Sequence, residues 1–143
     1  MIFDKTLLLS DAQAVTADAA STNVIDLGAT GTIYGATGAM TRDIGKGKPI
    51  PLLIQVVEDF DNLTTLEIKL QVDSVENFAS PKQVATTGAI ALADLVAGAI
   101  MNLEFIPRGA DERYLRLYYD VTGTAPTAGK MTAGVTMGNQ SNG

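Results

Sequence analysis

The sequence predicts an all-β fold: a jelly-roll-like antiparallel β-sandwich of about eight strands with a long Gly-rich loop. Residues 65–73 alternate between apolar and polar side chains, the two-residue period of a strand with one buried and one solvated face. Similar short segments recur along the chain, separated by turn residues at regular intervals. The length of 143 residues suits one domain, 1–143, that buries enough surface to fold without metal or disulfide.

The amino-terminal part, residues 1–21, is predicted to be an extended arm or loop. A helix over residues 11–20, capped by Ser10, is the alternative, but its apolar residues are mostly alanines and would anchor it poorly. The larger apolar residues of the arm stand outside the strand pattern and are candidates for contact with another chain. They are Ile2, Phe3, Leu7 and Leu8.

Short strands and turns are predicted to fill the rest of the chain. The strand segments are residues 23–27, 50–58, 65–73, 83–86, 101–105, 114–121 and 130–137, with a further short edge strand at Ile90 and Leu92. Residues 50–58 are more continuously apolar than the other segments, which is typical of a central strand covered on both faces. Pro107 and Gly109 indicate a tight turn, because proline presets one backbone torsion and glycine tolerates positive φ.

The segment 28–48 is predicted to be a long loop, because it holds six of the fourteen glycines. Its glycine spacing matches neither a phosphate-binding P-loop nor a dinucleotide-binding turn. Three interpretations stay open: a surface excursion, an arm that orders against a neighbouring subunit, or a ligand site. Its candidate contact residues are Ile33, Tyr34, Met40 and Arg42.

Three arginines, Arg108, Arg113 and Arg116, form the one local basic cluster in the sequence. Either they make a salt-bridged corner that holds the neighbouring turn, or their guanidinium groups bind carboxylates of another protein. Tyr118 is predicted to share a strand face with Arg116. Tyrosine and arginine are enriched at interface hot spots, so this face is a second candidate contact surface.

The composition excludes much of enzymology. The chain has no His and no Cys, so a Ser-His-Asp triad, a cysteine nucleophile and an imidazole or thiolate metal site are impossible. Its net charge of −6 and pI of about 4.4 oppose binding to nucleic acid or to anionic membranes. The sequence therefore predicts a protein that is not an enzyme and uses no cofactor or metal. It also shows neither a secretory signal nor a membrane-spanning helix.

Several stretches resemble the capsid cement (decoration) proteins of tailed bacteriophages. They are the opening residues 1–21 (MIFDKTLLLSDAQAVTADAAS), residues 23–28 (NVIDLG) and the run RGADERYLRL at residues 108–117. The resemblance implies a jelly-roll-like sandwich on the outer surface of the virion capsid that binds the major capsid protein and stabilises the assembled head. It also implies self-association, with a homodimer favoured over a homotrimer.

An alternative function is a carbohydrate- or receptor-binding jelly-roll module of a phage tail or spike. Such sites use exposed aromatic side chains, and this chain is only 6% aromatic and has no Trp. An enzyme built on a pair of carboxylates is a third possibility, although nothing in the sequence selects a pair.

Overall fold

The computed structural model describes residues 3–138 and has the predicted all-β fold. Eight strands lie in this part of the chain, and a single 3-10 turn, Leu92–Asp94, follows the sixth. The strands are β1 (Phe3–Ala14), β2 (Ala19–Ala20), β3 (Ile25–Asp26), β4 (Leu52–Glu58), β5 (Leu63–Asp73), β6 (Lys82–Ala91), β7 (Tyr114–Gly123) and β8 (Lys130–Thr136).

These strands form two antiparallel sheets with jelly-roll connectivity. The smaller sheet has the order β1-β8-β4, and the extended segment 99–106 lies along the outer edge of β4. In the larger sheet β7 pairs with β5 on one side and with the short β2 and β3 on the other, and β6 pairs with β5. In each sheet an amino-terminal strand therefore pairs with a carboxy-terminal one, β1 with β8 and both β2 and β3 with β7.

The core lies between the two sheets and follows the predicted alternation. In β5, Leu66, Ile68 and Leu70 are buried, and in β7 Leu115 and Leu117 are buried. The opposite sheet contributes further buried side chains, namely Leu52, Ile54, Val56, Met131 and Ala133. Because removing apolar surface from water drives folding, this layer holds the two sheets together.

Three strand predictions need correction. Residues 101–105 form no regular strand. The segment is bridged to the β4 side at Ile100–Gln55 and Phe105–Pro51, and it has one residue more between these two bridges than the opposite chain has. An extra residue on one side interrupts the ladder of hydrogen bonds between two strands. The segments predicted separately at 83–86 and 90–92 are one strand, β6, which continues through Gly88 at a φ of +71° and ends before Leu92. Residues 3–14, predicted within an extended arm, form β1.

The sandwich has two chemically different ends. At one end lie the start of β1, the start of β4, the end of β8 and the start of β7, and residues 28–48 project there. We call this the loop-bearing end. The opposite end, which we call the far end, holds the turns that connect β4 to β5 and β7 to β8.

Candidate interaction surfaces

The tip of the Gly-rich loop is a small hairpin that projects into solvent. Thr32 bridges Ala39, and the Met40 amide donates to the Gly31 carbonyl at 2.8 Å. Three of the predicted contact residues are exposed on it: Ile33 is 60% exposed, Tyr34 fully exposed and Met40 50% exposed. Residues 29–41 carry no charged side chain. The hairpin therefore presents apolar groups with no charge among them.

The base of the loop is packed firmly against the rest of the domain. Arg42 Nη2 donates to the Gly28 carbonyl at 2.6 Å, so this predicted contact residue closes the loop. The Asp43 carboxylate accepts hydrogen bonds from the Gly109 amide, and the Ile44 amide donates to the Ala110 carbonyl. The loop is therefore anchored at both sides of its base, and it packs against the turn predicted at residues 107–111.

The predicted arginine cluster is divided among different partners. Arg113 forms a bidentate pair with Asp26, with both N–O distances at 2.7 Å. This hydrogen bonding lowers the pKa of Asp26 to about 2 and raises the pKa of Arg113. Arg108 is exposed and forms no ion pair with another described residue. A salt bridge is therefore present at this corner, but its acid comes from β3 rather than from the adjacent turn.

Arg116 and Tyr118 share the outer face of the larger sheet, as predicted. Arg116 Nε donates to Gln71 Oε1 at 2.9 Å, and its guanidinium lies 4.1 Å from the centre of the Phe78 ring and 5.7 Å from that of Tyr118. Burial lowers the pKa of Arg116. Lys69 contacts Glu67 and Asp120 on the same face. This surface is polar and internally paired, so little of its charge is free for another protein.

The outer side of the smaller sheet is different because the middle of β8 and β4 and the segment beside β4 carry no charge; the charged residues of this sheet are in β1 and in the Glu58–Lys130 pair. Residues 49–57, 95–103 and 131–138 contain no charged side chain. Cross-strand partners share a sheet face, so the pairs Leu53–Gly134, Gln55–Ile100 and Pro51–Phe105 identify the outward residues. We call the following six outward apolar residues the neutral face: Phe3, Leu8, Leu53, Val57, Ile100 and Phe105.

Half of the neutral face is open to solvent. Val57 is 40% exposed, Ile100 51% and Phe105 46%. Leu53 is buried and pairs with Gly134 across the sheet. A β-carbon built on Gly134 would lie 3.2 Å from the Phe3 ring. The Phe3 ring therefore covers this part of the sheet. The sequence predicted a β4 covered on both faces; in the described chain the opposite sheet covers one face and the other remains partly bare.

The amino-terminal contact residues point in different directions. Phe3 and Leu8 are half-buried on the neutral face, whereas Leu7 lines an apolar pocket at the loop-bearing end. Ile2 lies outside the described residues. The pocket has a volume of about 230 Å³ and is lined by eight aliphatic residues: Leu7, Ile25, Leu27, Ile44, Ile50, Ile106, Leu115 and Val135. Sequence reasoning missed it, since its lining residues come from both sheets and the loop base.

Charge is distributed unevenly between the ends. Arg42, Lys46, Lys48 and Arg108 cluster where the loop base meets the turn at residues 107–111, and none forms an ion pair with another described residue. The far end instead carries carboxylates without ionic partners in the described chain, which are Asp18, Asp59, Asp61 and Asp94. The sequence prediction missed this separation, because Lys46 and Lys48 are far from Arg108 in the chain.

Within residues 3–138 no group of three or more acidic side chains is arranged to hold a metal ion. No helix in the same range is long and apolar enough to cross a membrane. The candidate contact surfaces among the described residues are the hairpin, the neutral face and the loop-bearing end.

These features define an all-β module with extended contact surfaces. A protein-family model named Bbp16 matches residues 9–135, and the chain belongs to this family, whose name is associated with bacteriophages. A search of curated proteins found no match.

Proposed function

We propose that this protein is a cement protein of a tailed-phage head. It binds the outer surface of the assembled capsid and bridges neighbouring major capsid subunits. A ligand that binds the assembled shell better than free subunits stabilises the shell by mass action. The phage-associated family and the resemblance of residues 1–28 and 108–117 to cement proteins support this proposal.

The observation that carries the proposal is the neutral face. The chain has a net charge of −6, yet Val57, Ile100 and Phe105 are exposed together, and residues 49–57 and 95–103 carry no charged side chain. Apolar area of this kind is typical of a surface that another protein covers. A second copy is its best partner, because two acidic chains repel each other least where neither carries charge. The resulting homodimer has two equivalent capsid-binding ends, so binding of one raises the effective concentration of the other.

The direct test is to mix the purified protein with undecorated heads of the phage that encodes it. We expect saturable binding and an increase in the temperature at which the heads disassemble. Heads that bind no protein, or that bind it with unchanged stability, would contradict the proposal.

A paired substitution tests the dimer. Val57→Glu places a charge on the neutral face, whereas Val75→Glu places one at a residue of similar exposure outside it, 44% against 40%. We expect Val57→Glu to shift the protein toward monomer in sedimentation velocity, and Val75→Glu to behave as the parent. Equal behaviour of the two variants would assign the self-contact to another surface.

A further inference from the structure

The apolar pocket has the size of an anchor site for one side chain. A cavity of about 150 Å³ lined by aliphatic residues accepts benzene, and small-molecule sites usually occupy about 300–1,000 Å³. At about 230 Å³, the pocket is larger than the cavity that accepts benzene and smaller than a usual small-molecule site. All eight lining residues are aliphatic, so the pocket offers no side-chain hydrogen bond to a polar group. It therefore suits a single large apolar side chain.

Two exposed cations stand at the edge of the pocket. The lining residues Ile44 and Ile106 are each two positions from an exposed cation, Lys46 and Arg108 respectively. A β-carbon on Gly45 would lie 2.6 Å from the Arg108 backbone nitrogen, so the two cation-bearing segments touch.

Three of the nearby acids are engaged, and two others, Glu104 and Glu112, form no ion pair with Lys46, Arg108 or any other described residue. Asp26 pairs with Arg113, Asp111 pairs with Lys82, and Asp43 accepts backbone hydrogen bonds. The cations therefore favour an acidic partner, although the chain as a whole is acidic.

A protein segment explains this end better than a free alkyl ligand. The hairpin belongs to the loop whose base lines the pocket through Leu27 and Ile44, and it exposes Ile33 and Tyr34, which a small ligand would leave in water. A protein partner can cover the hairpin while one of its side chains fills the pocket. A buried apolar anchor surrounded by charged groups is the usual organisation of a protein–protein hot spot.

We infer that the loop-bearing end binds an acidic segment of the capsid shell, one large apolar side chain of which enters the aliphatic pocket beside Lys46 and Arg108. This inference rests on the proposed function and specifies which end of the molecule faces the capsid and by what chemistry.

Two variants and a charge-matched control test it on undecorated heads. Val135→Phe fills the pocket from within, and Lys46→Glu reverses one charge at its edge. The control is the double variant Thr124→Glu/Ala125→Glu at the exposed far-end turn, which takes the net charge from −6 to −8, as Lys46→Glu does. We expect each of the first two variants to bind heads at least tenfold more weakly than the parent, and the control to bind within twofold of it.

Each outcome has a distinct meaning. If the parent fails to bind heads, both the proposed function and this inference are wrong. If the parent binds and Lys46→Glu binds equally well, only the inference is wrong. The binding of Lys46→Glu tests the inference even if Val135→Phe fails to fold. Native mass spectrometry of the purified protein provides a second arm, in which a stoichiometric fatty acid would assign the pocket to a lipid and overturn the inference.

Discussion

Ser10 and Tyr119 form a buried hydrogen-bonded pair that joins the two sheets. The Ser10 hydroxyl donates to Gln13 Oε1 at 2.7 Å, so the Tyr119 hydroxyl, 2.8 Å away, donates to Ser10 Oγ. Both residues are completely buried. A buried hydroxyl without a hydrogen-bond partner is destabilising. Removing the Ser10 hydroxyl and removing the Tyr119 hydroxyl should therefore reduce stability by different amounts.

We expect Ser10→Ala to lower the free energy of unfolding by about 1–3 kcal/mol, since it leaves the Tyr119 hydroxyl unpaired in the core. Tyr119→Phe removes the donor and leaves Ser10 bonded to Gln13, so its expected cost is smaller, about 0.5–1.5 kcal/mol. Urea unfolding of the two variants measures the difference. A larger loss for Tyr119→Phe would contradict this assignment of donor and acceptor.

The same tyrosine predicts a dependence of stability on alkaline pH. Burial raises the pKa of Tyr119 from 10.0 to about 12. The unfolded chain therefore releases the tyrosine proton at a lower pH than the folded protein does. The stabilising contribution of the neutral Tyr119 to the free energy of unfolding is complete below pH 10 and is lost as the pH rises to about 12. We expect a loss of about 2–3 kcal/mol across that range in the parent. Unfolding of Tyr119→Phe should lack this component; equal slopes in both proteins would contradict the prediction.

The Asp26–Arg113 pair predicts that the stability of the protein falls as the pH becomes acidic, the opposite direction to the effect of Tyr119. The pKa of Asp26 is lowered to about 2, so its contribution is present above the unfolded pKa near 3.8 and is lost as the pH falls toward 2. We expect Asp26→Asn to melt below the parent at pH 6 and together with it at pH 2. Both groups are exposed, so 1 M salt should also reduce the difference. A difference that persists at pH 2 would point to a packing effect.

At the scale of elements, the loop base is held by a close backbone contact. Gly45 lies against the turn at residues 107–111, and a β-carbon there would stand 1.9 Å from the Pro107 carbonyl oxygen. The contact is between main-chain atoms, so neither side can yield by a rotamer change. This close approach requires glycine at residue 45.

We expect Gly45→Ala to destabilise the protein by about 1–3 kcal/mol, the usual cost of overpacking, and to increase amide exchange at Gly109. The matched control is Gly31→Ala in the hairpin of the same loop, where no atom lies within 4 Å of the added carbon. Its effect should stay within about 0.5 kcal/mol. Chemical denaturation and hydrogen exchange of the two variants provide the comparison.

Elements with a clear period were predictable. The alternation in residues 65–73 predicted β5 and the buried side of it, because the opposite sheet covers only one of its faces. The segment at 101–105 has the same alternation without becoming a strand, since its register against β4 contains an extra residue. Strand pairing depends on residues distant in sequence, and a local pattern carries no information on that register.

The contact surfaces were predictable only in part. Ile33, Tyr34 and Met40 are exposed on the loop, as their position among glycines indicated. Phe105 and Ile100 were missed, because they are outward-facing only through their pairing with Pro51 and Gln55. The pocket was missed for the same reason: its walls are assembled from distant segments, each of which is ordinary core by itself.

At the scale of the whole molecule, charge separation should affect how the protein reaches its target. Lys46 and Arg108 at the pocket form no ion pair with another described residue, and Asp59, Asp61 and Asp94 at the far end form none either, so an acidic surface attracts the first pair of residues and repels the carboxylates. We expect the association rate with undecorated heads to fall at least fivefold between 50 mM and 500 mM NaCl, while the dissociation rate changes less. Rapid-mixing light scattering measures both rates. An association rate that is independent of salt would contradict such steering.

The carboxylates at the far end have a consequence for particles as well as for single molecules. If the loop-bearing end faces the shell, Asp59, Asp61 and Asp94 point into the medium from every bound copy. A coated head therefore presents the carboxylates of the bound copies to the medium in place of the shell surface that those copies cover. Coated heads should also repel one another through these carboxylates, and high salt, which screens exposed charges, should weaken that repulsion and reduce their colloidal dispersion.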